Sequence, residues 1–132
     1  MSSEQPVNPR FADDMQMRLV DGPATYARRT DKPVSHLSVA DPAGTVIGYV
    51  WANDEDDAAG WVVPQGLPGS ALNAGGSWIR ALRDGKARGL APSDLLAELA
   101  RGANDSDLSH AVPDSLTQAP SLDALKELAA RG

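Results

Sequence analysis

Four consecutive carboxylates at 54–57 are the residues of this chain with the clearest potential for chemistry. They stand between two apolar runs that carry Trp51 and Trp61. A calcium loop of the EF-hand type needs alternating oxygen ligands, a Gly at its sixth position and a carboxylate at its twelfth. Counted from the residue before the block, those positions hold Ala58 and Pro64. We therefore predict no metal ligands and interpret the block as the charged tip of a β-hairpin, with a looser divalent-cation site as the alternative.

A group of basic residues is the second such feature. No Lys or Arg occurs at positions 33–79, and four then fall within nine residues: Arg80, Arg83, Lys86 and Arg88. The three-residue spacing of the first three keeps them near one side of a helix. They can pair with the acidic block inside the molecule, remain solvated, or bind an anionic ligand or an acidic partner.

Aromatic side chains flank the acidic block. We predict that Trp51 and Trp61 face each other across neighbouring strands. If that pair is partly exposed, it forms a binding surface with Tyr49 beside segment 64–76, which is rich in Gly and Pro and is predicted to be a long loop. Core packing is the competing interpretation. The predicted ligand-binding or partner-binding residues are Tyr49, Trp51, Trp61, Arg80, Arg83 and Lys86.

Neither histidine has the neighbours that catalysis needs. His36 falls on the polar side of a predicted strand, and His110 lies in a predicted linker. The chain has no cysteine, which excludes disulfides, thiolate zinc sites and cysteine nucleophiles. No G-x-S-x-G nucleophile motif is present. We expect both histidines at the surface and predict no catalytic residue and no cofactor.

The stretch GTVIGYVWA (44–52) resembles a strand of the GNAT-type acetyltransferases, in which G-x-V-x-G-Y precedes the acyl-CoA site. KARGLA (86–91) resembles the pyrophosphate-binding turn of that family, (Q/R)-x-x-G-x-(G/A). The resemblance implies an acyl-CoA substrate whose pyrophosphate is held by backbone N–H groups. The chain departs from the pattern because Lys86 replaces Gln or Arg, and because a helix is predicted where a strand should lead into the turn. We therefore assign no membership of the family.

Composition limits the class of partner. The 132 residues carry 12 basic and 18 acidic side chains, for a formal net charge of −6. A surface of this charge does not attract phosphate backbones, so we predict no nucleic-acid partner. The sequence has no run that approaches the length of a membrane span and begins with a polar segment that lacks the signal-peptide pattern. We expect a cytoplasmic protein without membrane association.

Strand patterns occupy the middle of the chain. Apolar and polar residues alternate over 35–41, and residues 45–52 are apolar on both faces, as in an inner strand. Between them, residues 41–44 have the sequence of a type I turn, Asp-Pro-Ala-Gly. With a third strand at 61–63, these elements predict an antiparallel meander. QMRLV (16–20) is a further candidate strand, which Asp-Gly-Pro ends.

Helical signals follow the strands. A helix is predicted over 77–88, with Gly89 as its natural stop. Pro92 or Ser93 begins a second, leucine-rich helix, so the two form an αα-hairpin. Ser121 can cap a last helix that is too short to be stable alone, and the sequence leaves open whether it docks.

Together the elements predict an α+β fold: a three- to four-stranded antiparallel meander packed on an αα-hairpin, with a short C-terminal helix. The predicted organisation is a disordered N-terminal arm (1–14), a single domain (15–103), a linker (104–120) and the C-terminal helix (121–132). The predicted core residues are Leu37, Val39, Ile47, Val50, Trp78, Ile79, Leu82, Leu95, Leu96 and Leu99.

Without a catalytic constellation, the sequence favours a non-catalytic binding or protein-interaction module, with regulation as one use of such a module. The alternative is a small enzyme or ligand-binding protein that acts on an anionic or acyl-CoA-type substrate through the basic helix 77–88. The expected partner is an unknown protein or a small anionic ligand, and the oligomeric state is left open.

Overall fold

The structure, a computed structural model, describes residues 25–67 and 69–131. The predicted arm (1–14) and the candidate strand QMRLV (16–20) lie outside the described residues. The elements in chain order are β1 (Val34–Ala40), β2 (Val46–Asn53), β3 (Ala58–Val62), α1 (Gly69–Ala87), α2 (Pro92–Ala100), β4 (His110–Ala111), β5 (Thr117–Ala119) and α3 (Leu122–Arg131).

The sheet is antiparallel and is built around the predicted meander. Its strand order is β3-β2-β1-β4, and β5 pairs with the other end of the same edge of β1. The β1–β2 turn forms as predicted, since Gly44 donates its N–H to the Asp41 carbonyl at 2.9 Å. The Asp41 carboxylate also accepts bonds from Ala43 N–H and Thr45 N–H. The predicted α+β class is therefore confirmed.

The sheet separates two apolar cores. The first lies between the sheet and the α1–α2 hairpin and includes Tyr26, Leu37, Val39, Ile47, Val50, Trp78, Leu82, Leu95, Leu96 and Leu99. The second lies between the other face and α3 and includes Val34, Tyr49, Trp51, Ala58, Leu122 and Leu125. All but one of the predicted core residues are buried in the first core. The exception is Ile79, which is 40% exposed.

Helix α1 begins at Gly69, well before the predicted start at Ser77. The prediction of a loop over 64–76 is therefore wrong for its second half. Glycine costs about 1 kcal/mol relative to alanine inside a helix, which is why GSALNAGG does not suggest one. Packing overrides that propensity, because Gly75 lets the helix approach the indole ring of Trp61 more closely than a Cβ would allow.

The α1–α2 turn follows the predicted stop at Gly89. Gly89 has a φ of +79° and donates its N–H to the Lys86 carbonyl, while Leu90 N–H bonds to the Gly85 carbonyl. These two bonds form a Schellman motif. Helix α2 then begins at Pro92, a residue favoured at a first helical position.

The segment predicted as a linker (104–120) contains β4 and β5, both paired with β1. Ser109 in this segment is buried and accepts a 2.8 Å hydrogen bond from the Trp78 indole N–H. Helix α3 begins after Ser121, whose hydroxyl accepts a bond from Ala124 N–H as the predicted cap. Its Leu125 is fully buried, so α3 is docked on the sheet.

Candidate functional site

The two tryptophans that flank the acidic block lie on opposite faces of the sheet. In the β2–β3 register Trp51 is opposite Gly60, and Trp61 is opposite Val50. Because successive side chains of a strand point to opposite faces, this register places Trp51 under α3 and Trp61 against α1. The predicted cross-strand tryptophan pair is therefore wrong.

Two of the predicted site residues belong to the core under α3. Tyr49 is 8% exposed and Trp51 only 2%. The Trp51 indole packs on Gly60, where a Cβ would come within 2.8 Å of its ring nitrogen. Burial leaves both side chains little surface with which to contact a ligand.

Trp61 is held flat against the opposite face. Its ring stacks on Trp78, with centroids 6.2 Å apart and planes inclined by 7°. A Cβ on Gly48 would lie 2.2 Å from the ring, and one on Gly75 would lie 2.8 Å from its nitrogen. Two glycines and a second indole therefore fix the position of Trp61, which stays partly exposed.

A cleft of about 280 Å³ opens beside this indole, between the outer edge of β3 and α1. Apolar groups from Tyr26, Trp61, Ile79 and Leu82 line it. Arg28 and Arg83 supply the charged part of the lining, and no acidic residue lines the cleft within the described part of the chain. Ile79 and Arg83 are four residues apart, so they share one side of α1.

The three predicted basic residues of α1 have different surroundings. Arg83 lines the cleft. Arg80 faces a separate polar depression with Asp84 and Glu98. Lys86 forms an ion pair with Asp57 and lies 5.4 Å from the Tyr26 ring centroid. The helix therefore does not present one continuous anion site. One of the predicted alternatives, an ion pair between the basic helix and the acidic block, forms at Lys86.

The acidic block is a turn whose carboxylates hold three other segments. Asp54 accepts bonds from the backbone N–H and the hydroxyl of Ser93, at 2.8 and 2.5 Å. Helix α2 has no side-chain cap of its own, so Asp54 caps it from outside. Asp56 binds Thr30 and Lys32, and Asp57 pairs with α1 as described.

These contacts shift the pKa values of three groups. The hydrogen bonds from Lys32 and Thr30 lower the pKa of Asp56. The bond between Lys32 and Asp56 also raises the pKa of Lys32. Burial raises the pKa of Tyr26, and the negative charge of Asp57 adds to the effect. The Tyr26 hydroxyl stays protonated and donates a 2.8 Å bond to the Leu90 carbonyl.

His36 is buried, contrary to the prediction of a surface histidine. It is 5% exposed, because β5 pairs with the edge of β1 at His36, and α3 packs on the face of the sheet to which its ring points. Its Nδ1 has no hydrogen-bond partner among the described residues, and its ring meets Tyr49 edge-on at 6.0 Å. Burial lowers the pKa of His36, which favours the neutral ring. No nucleophile is hydrogen-bonded to it in the part of the chain that the structure describes.

The turn that resembles a pyrophosphate-binding loop has no spare donors at three positions. Arg88 N–H bonds to the Asp84 carbonyl, and the N–H groups of Gly89 and Leu90 complete the Schellman motif. A strand does not lead into this turn; helix α1 does. The backbone here therefore ends a helix and lacks the free N–H groups at a helix start that would bind a phosphate.

Sequence reasoning missed Arg28, Ile79 and the two glycines under Trp61 as parts of the site. The alternation of β2 places Gly48 on the same face as the core residue Val50. A glycine inside a strand is a signal that another group approaches closely, and here that group is the Trp61 ring. Arg28 gives no such signal. It reaches the cleft because Ala27 pairs with Ala58, a contact between distant segments.

Within residues 25–67 and 69–131, no group of three His, Asp or Glu side chains is arranged to hold a metal ion. Among the described helices, none is both long enough and apolar enough to cross a membrane. Comparisons with protein-family models, with curated proteins and with solved structures find no match to this chain.

Proposed function

We propose that this protein is a non-catalytic binding module whose partner places an apolar group and a neighbouring carboxylate in the cleft between β3 and α1. The observation that carries the proposal is the joint presence of Trp61, Ile79 and two arginines around one opening. An isoleucine that is 40% exposed beside a partly exposed indole is apolar surface available to a ligand.

The size of the cleft limits what it can hold. Pockets for drug-sized ligands and cofactors measure about 300–1,000 Å³. A volume of about 280 Å³ is just below that range. It suits one or two side chains of a protein partner better than a complete nucleotide cofactor.

Charge sets the second requirement. Arg28 and Arg83 line an opening without a carboxylate of its own among the described residues. A guanidinium next to apolar surface favours a ligand carboxylate, which it can bind through two parallel hydrogen bonds. A partner protein with an acidic side chain next to an apolar one meets both conditions. We therefore narrow the predicted partner, an unknown protein or a small anionic ligand, to a protein with such a pair of side chains.

A peptide selection tests the proposal. A display library of random dodecapeptides is panned against the full chain, and the same library against an Arg28→Glu, Arg83→Glu double variant. The wild-type protein is expected to enrich peptides with Leu, Met or aromatic residues next to Asp or Glu. The double variant should lose that enrichment, because like charges then face each other in the cleft.

Arg80→Glu is the matched control. It makes the same charge change three residues from Arg83 on the same helix, but in the separate polar depression. This variant should select the same peptides as the wild type. The proposal is wrong if the double variant keeps the acidic preference, or if Arg80→Glu abolishes it equally, since a general charge effect would then explain the selection.

A further inference from the structure

We propose that helix α3 is a pH-dependent cover of the sheet, and that His36, which is buried beneath it, is the group that releases it in mildly acid solution. The proposal concerns the face of the sheet opposite to the cleft, so it goes beyond the binding function and does not depend on it. Three observations support it: the position of the His36 ring, the charges around it and the attachment of α3.

The His36 ring lies between the sheet and α3. In the β1–β2 register His36 is opposite Trp51, and in the β1–β5 register it is opposite Thr117. Residues directly opposite each other in an antiparallel pair share a face, so the ring is on the face that carries Trp51. Trp51 and Tyr49 belong to the core under α3, and the His36 ring meets Tyr49 edge-on at 6.0 Å. The helix and the strands together leave His36 5% exposed.

Protonation of this ring is unfavourable while α3 is docked. An imidazolium ion carries an N–H group at each ring nitrogen, and each group needs an acceptor. The Nδ1 atom of His36 is covered, and no residue within 25–67 or 69–131 is hydrogen-bonded to it. Because a buried charge without a partner is destabilising, a protonated ring favours a state in which water reaches it.

The charged groups on the surrounding elements lie at the surface. Within their bounds, β1, β3 and β5 contain no ionisable side chain besides His36, and Tyr49 is the one titratable residue of β2. Helix α3 and the segment before β1 carry the nearest charges: Asp123, Lys126, Glu127 and Arg131, and Arg28, Arg29, Asp31 and Lys32. All but Lys32 are exposed, and Lys32 is paired with Asp56. None of these charges offsets burial, which lowers the pKa of His36.

The attachment of α3 allows it to leave the sheet alone. Its buried side chains are Leu122, Leu125 and Ala129, all in the second core. The described members of the first core, between the sheet and the α1–α2 hairpin, include no residue of α3. A ten-residue helix is not stable by itself in water. Release would therefore unfold α3 and uncover Tyr49 and Trp51, while the first core still holds the sheet and the hairpin together.

The direction of the pH dependence follows from the two states. When α3 is released, His36 returns to its ordinary pKa of 6.5, and when α3 is docked the pKa is lower. Between those two values the released state binds more protons. Docking is therefore at full strength above pH 6.5 and weakens as the pH falls toward the docked-state pKa. Histidine is the only side chain whose ordinary pKa lies between about 5 and 8, so this window separates it from the carboxylates.

Amide hydrogen exchange of the full chain at pH 7.5 and pH 5.0, followed by NMR, tests the proposal. Each rate is divided by the intrinsic rate at the same pH to give a protection factor. The protection of the Ala129 amide should fall about tenfold between pH 7.5 and pH 5.0. It should also be lower than the protection of Leu82 in α1 at both pH values, because α3 opens without the first core.

The two histidines of the chain supply matched variants. His36→Gln replaces the ring by a polar side chain that does not ionise, so the protection of Ala129 should change less than about twofold with pH. His110→Gln makes the same substitution on β4, where His110 is opposite Ala40 at the far end of β1. This variant should keep the tenfold fall.

A second pair of variants tests the coupling from the side of the helix. Leu125→Asp places a charge in the second core and should release α3 at pH 7.5, while the protection of Leu82 shows that the first core remains folded. An NMR titration should then give a pKa for His36 near 6.5, above that of the wild type. Leu128→Asp makes the same change at a position of α3 that is 37% exposed, and should leave the pKa of His36 unchanged.

Several results would overturn the proposal. Constant protection of Ala129 in the wild type does so, and this measurement is decisive even if His36→Gln or Leu125→Asp fails to fold. Equal protection of Ala129 and Leu82 does so as well, since α3 would then open only when the whole molecule unfolds. A tenfold fall that persists in folded His36→Gln assigns the effect to another group. A pKa of His36 that is the same in folded Leu125→Asp as in the wild type shows that docking and titration are not coupled.

Discussion

The two ends of strand β3 carry charges of opposite sign that have different partners. At the start, the carboxylates of Asp54, Asp56 and Asp57 bond to three other segments of the chain. At the far end, Arg28 and Arg83 line a cleft beside Trp61 that contains no acidic residue among those described. One strand therefore begins at a set of internally paired charges and ends beside two arginines that form no such pair with residues 25–67 or 69–131.

This difference separates charges with a structural role from charges to which we assign a binding role. Carboxylates that cap α2 and hold α1 stabilise the arrangement of the elements around the sheet. The two guanidinium groups instead lie beside exposed apolar surface, and that setting is the basis of the proposed binding role. The sequence alone points in the other direction, since the acidic block is its most prominent charged feature.

The largest expected effect concerns the packing at the cleft end. In Gly48→Ala the added Cβ would lie 2.2 Å from the Trp61 ring, so the indole must move. Overpacking of this kind lowers the free energy of unfolding by about 1–3 kcal/mol. Urea unfolding measures the loss. Gly69→Ala is the control, because a Cβ there meets nothing within 4 Å; equal stability of the two variants would show that Trp61 is not held in this way.

A smaller effect is expected at the acidic end. Asp54→Ala removes the only side chain that caps α2 in the described structure, which should lower the free energy of unfolding by about 1 kcal/mol. Asp54→Asn should retain most of the stability, since its amide oxygen can still accept. Glu55→Ala, at an exposed neighbour without a bond to the described residues, should be neutral in the same thermal or urea titration. A matching loss in Glu55→Ala would mean that net charge, and not the cap, is responsible.

The smallest effect depends on pH. The pKa of Asp56 is lower in the folded chain than its ordinary value of 3.8. Its ion pair therefore contributes stability above pH 3.8, and that contribution is lost as the pH falls through the folded pKa. Asp56→Asn should be less stable than the wild type near neutral pH, and the difference should vanish in strong acid. A difference that does not change with pH would contradict a role for the ionised carboxylate.

Much of the fold follows from local sequence signals. The Asp41–Gly44 turn, the stop at Gly89 and the cap at Ser121 form as predicted, because each depends on residues within a few positions of one another. The apolar pattern of β2 also identifies it correctly as an inner strand. Burial of nine predicted core residues follows from the same periodicity.

The site was less predictable, because it depends on long-range register. A shift of one residue moves a strand side chain to the other face, and no local signal fixes how β2 and β3 align. The sequence pattern therefore predicts that Trp51 and Trp61 face each other, although one is buried under α3 and the other borders the cleft. His36 was misplaced for a related reason, since its burial depends on β5, which lies some eighty residues further along the chain.

By itself, the sequence determined the class of the fold, most of its turns and caps, and the residues of its first core. These features arise from backbone preferences and from short-range periodicity, which are properties of neighbouring residues. The tertiary structure alone decided which face each tryptophan occupies, that glycines would extend α1 against Trp61, and that Arg28 and Arg83 would line the same cleft. Those outcomes depend on contacts between distant segments, where packing energy outweighs local propensity.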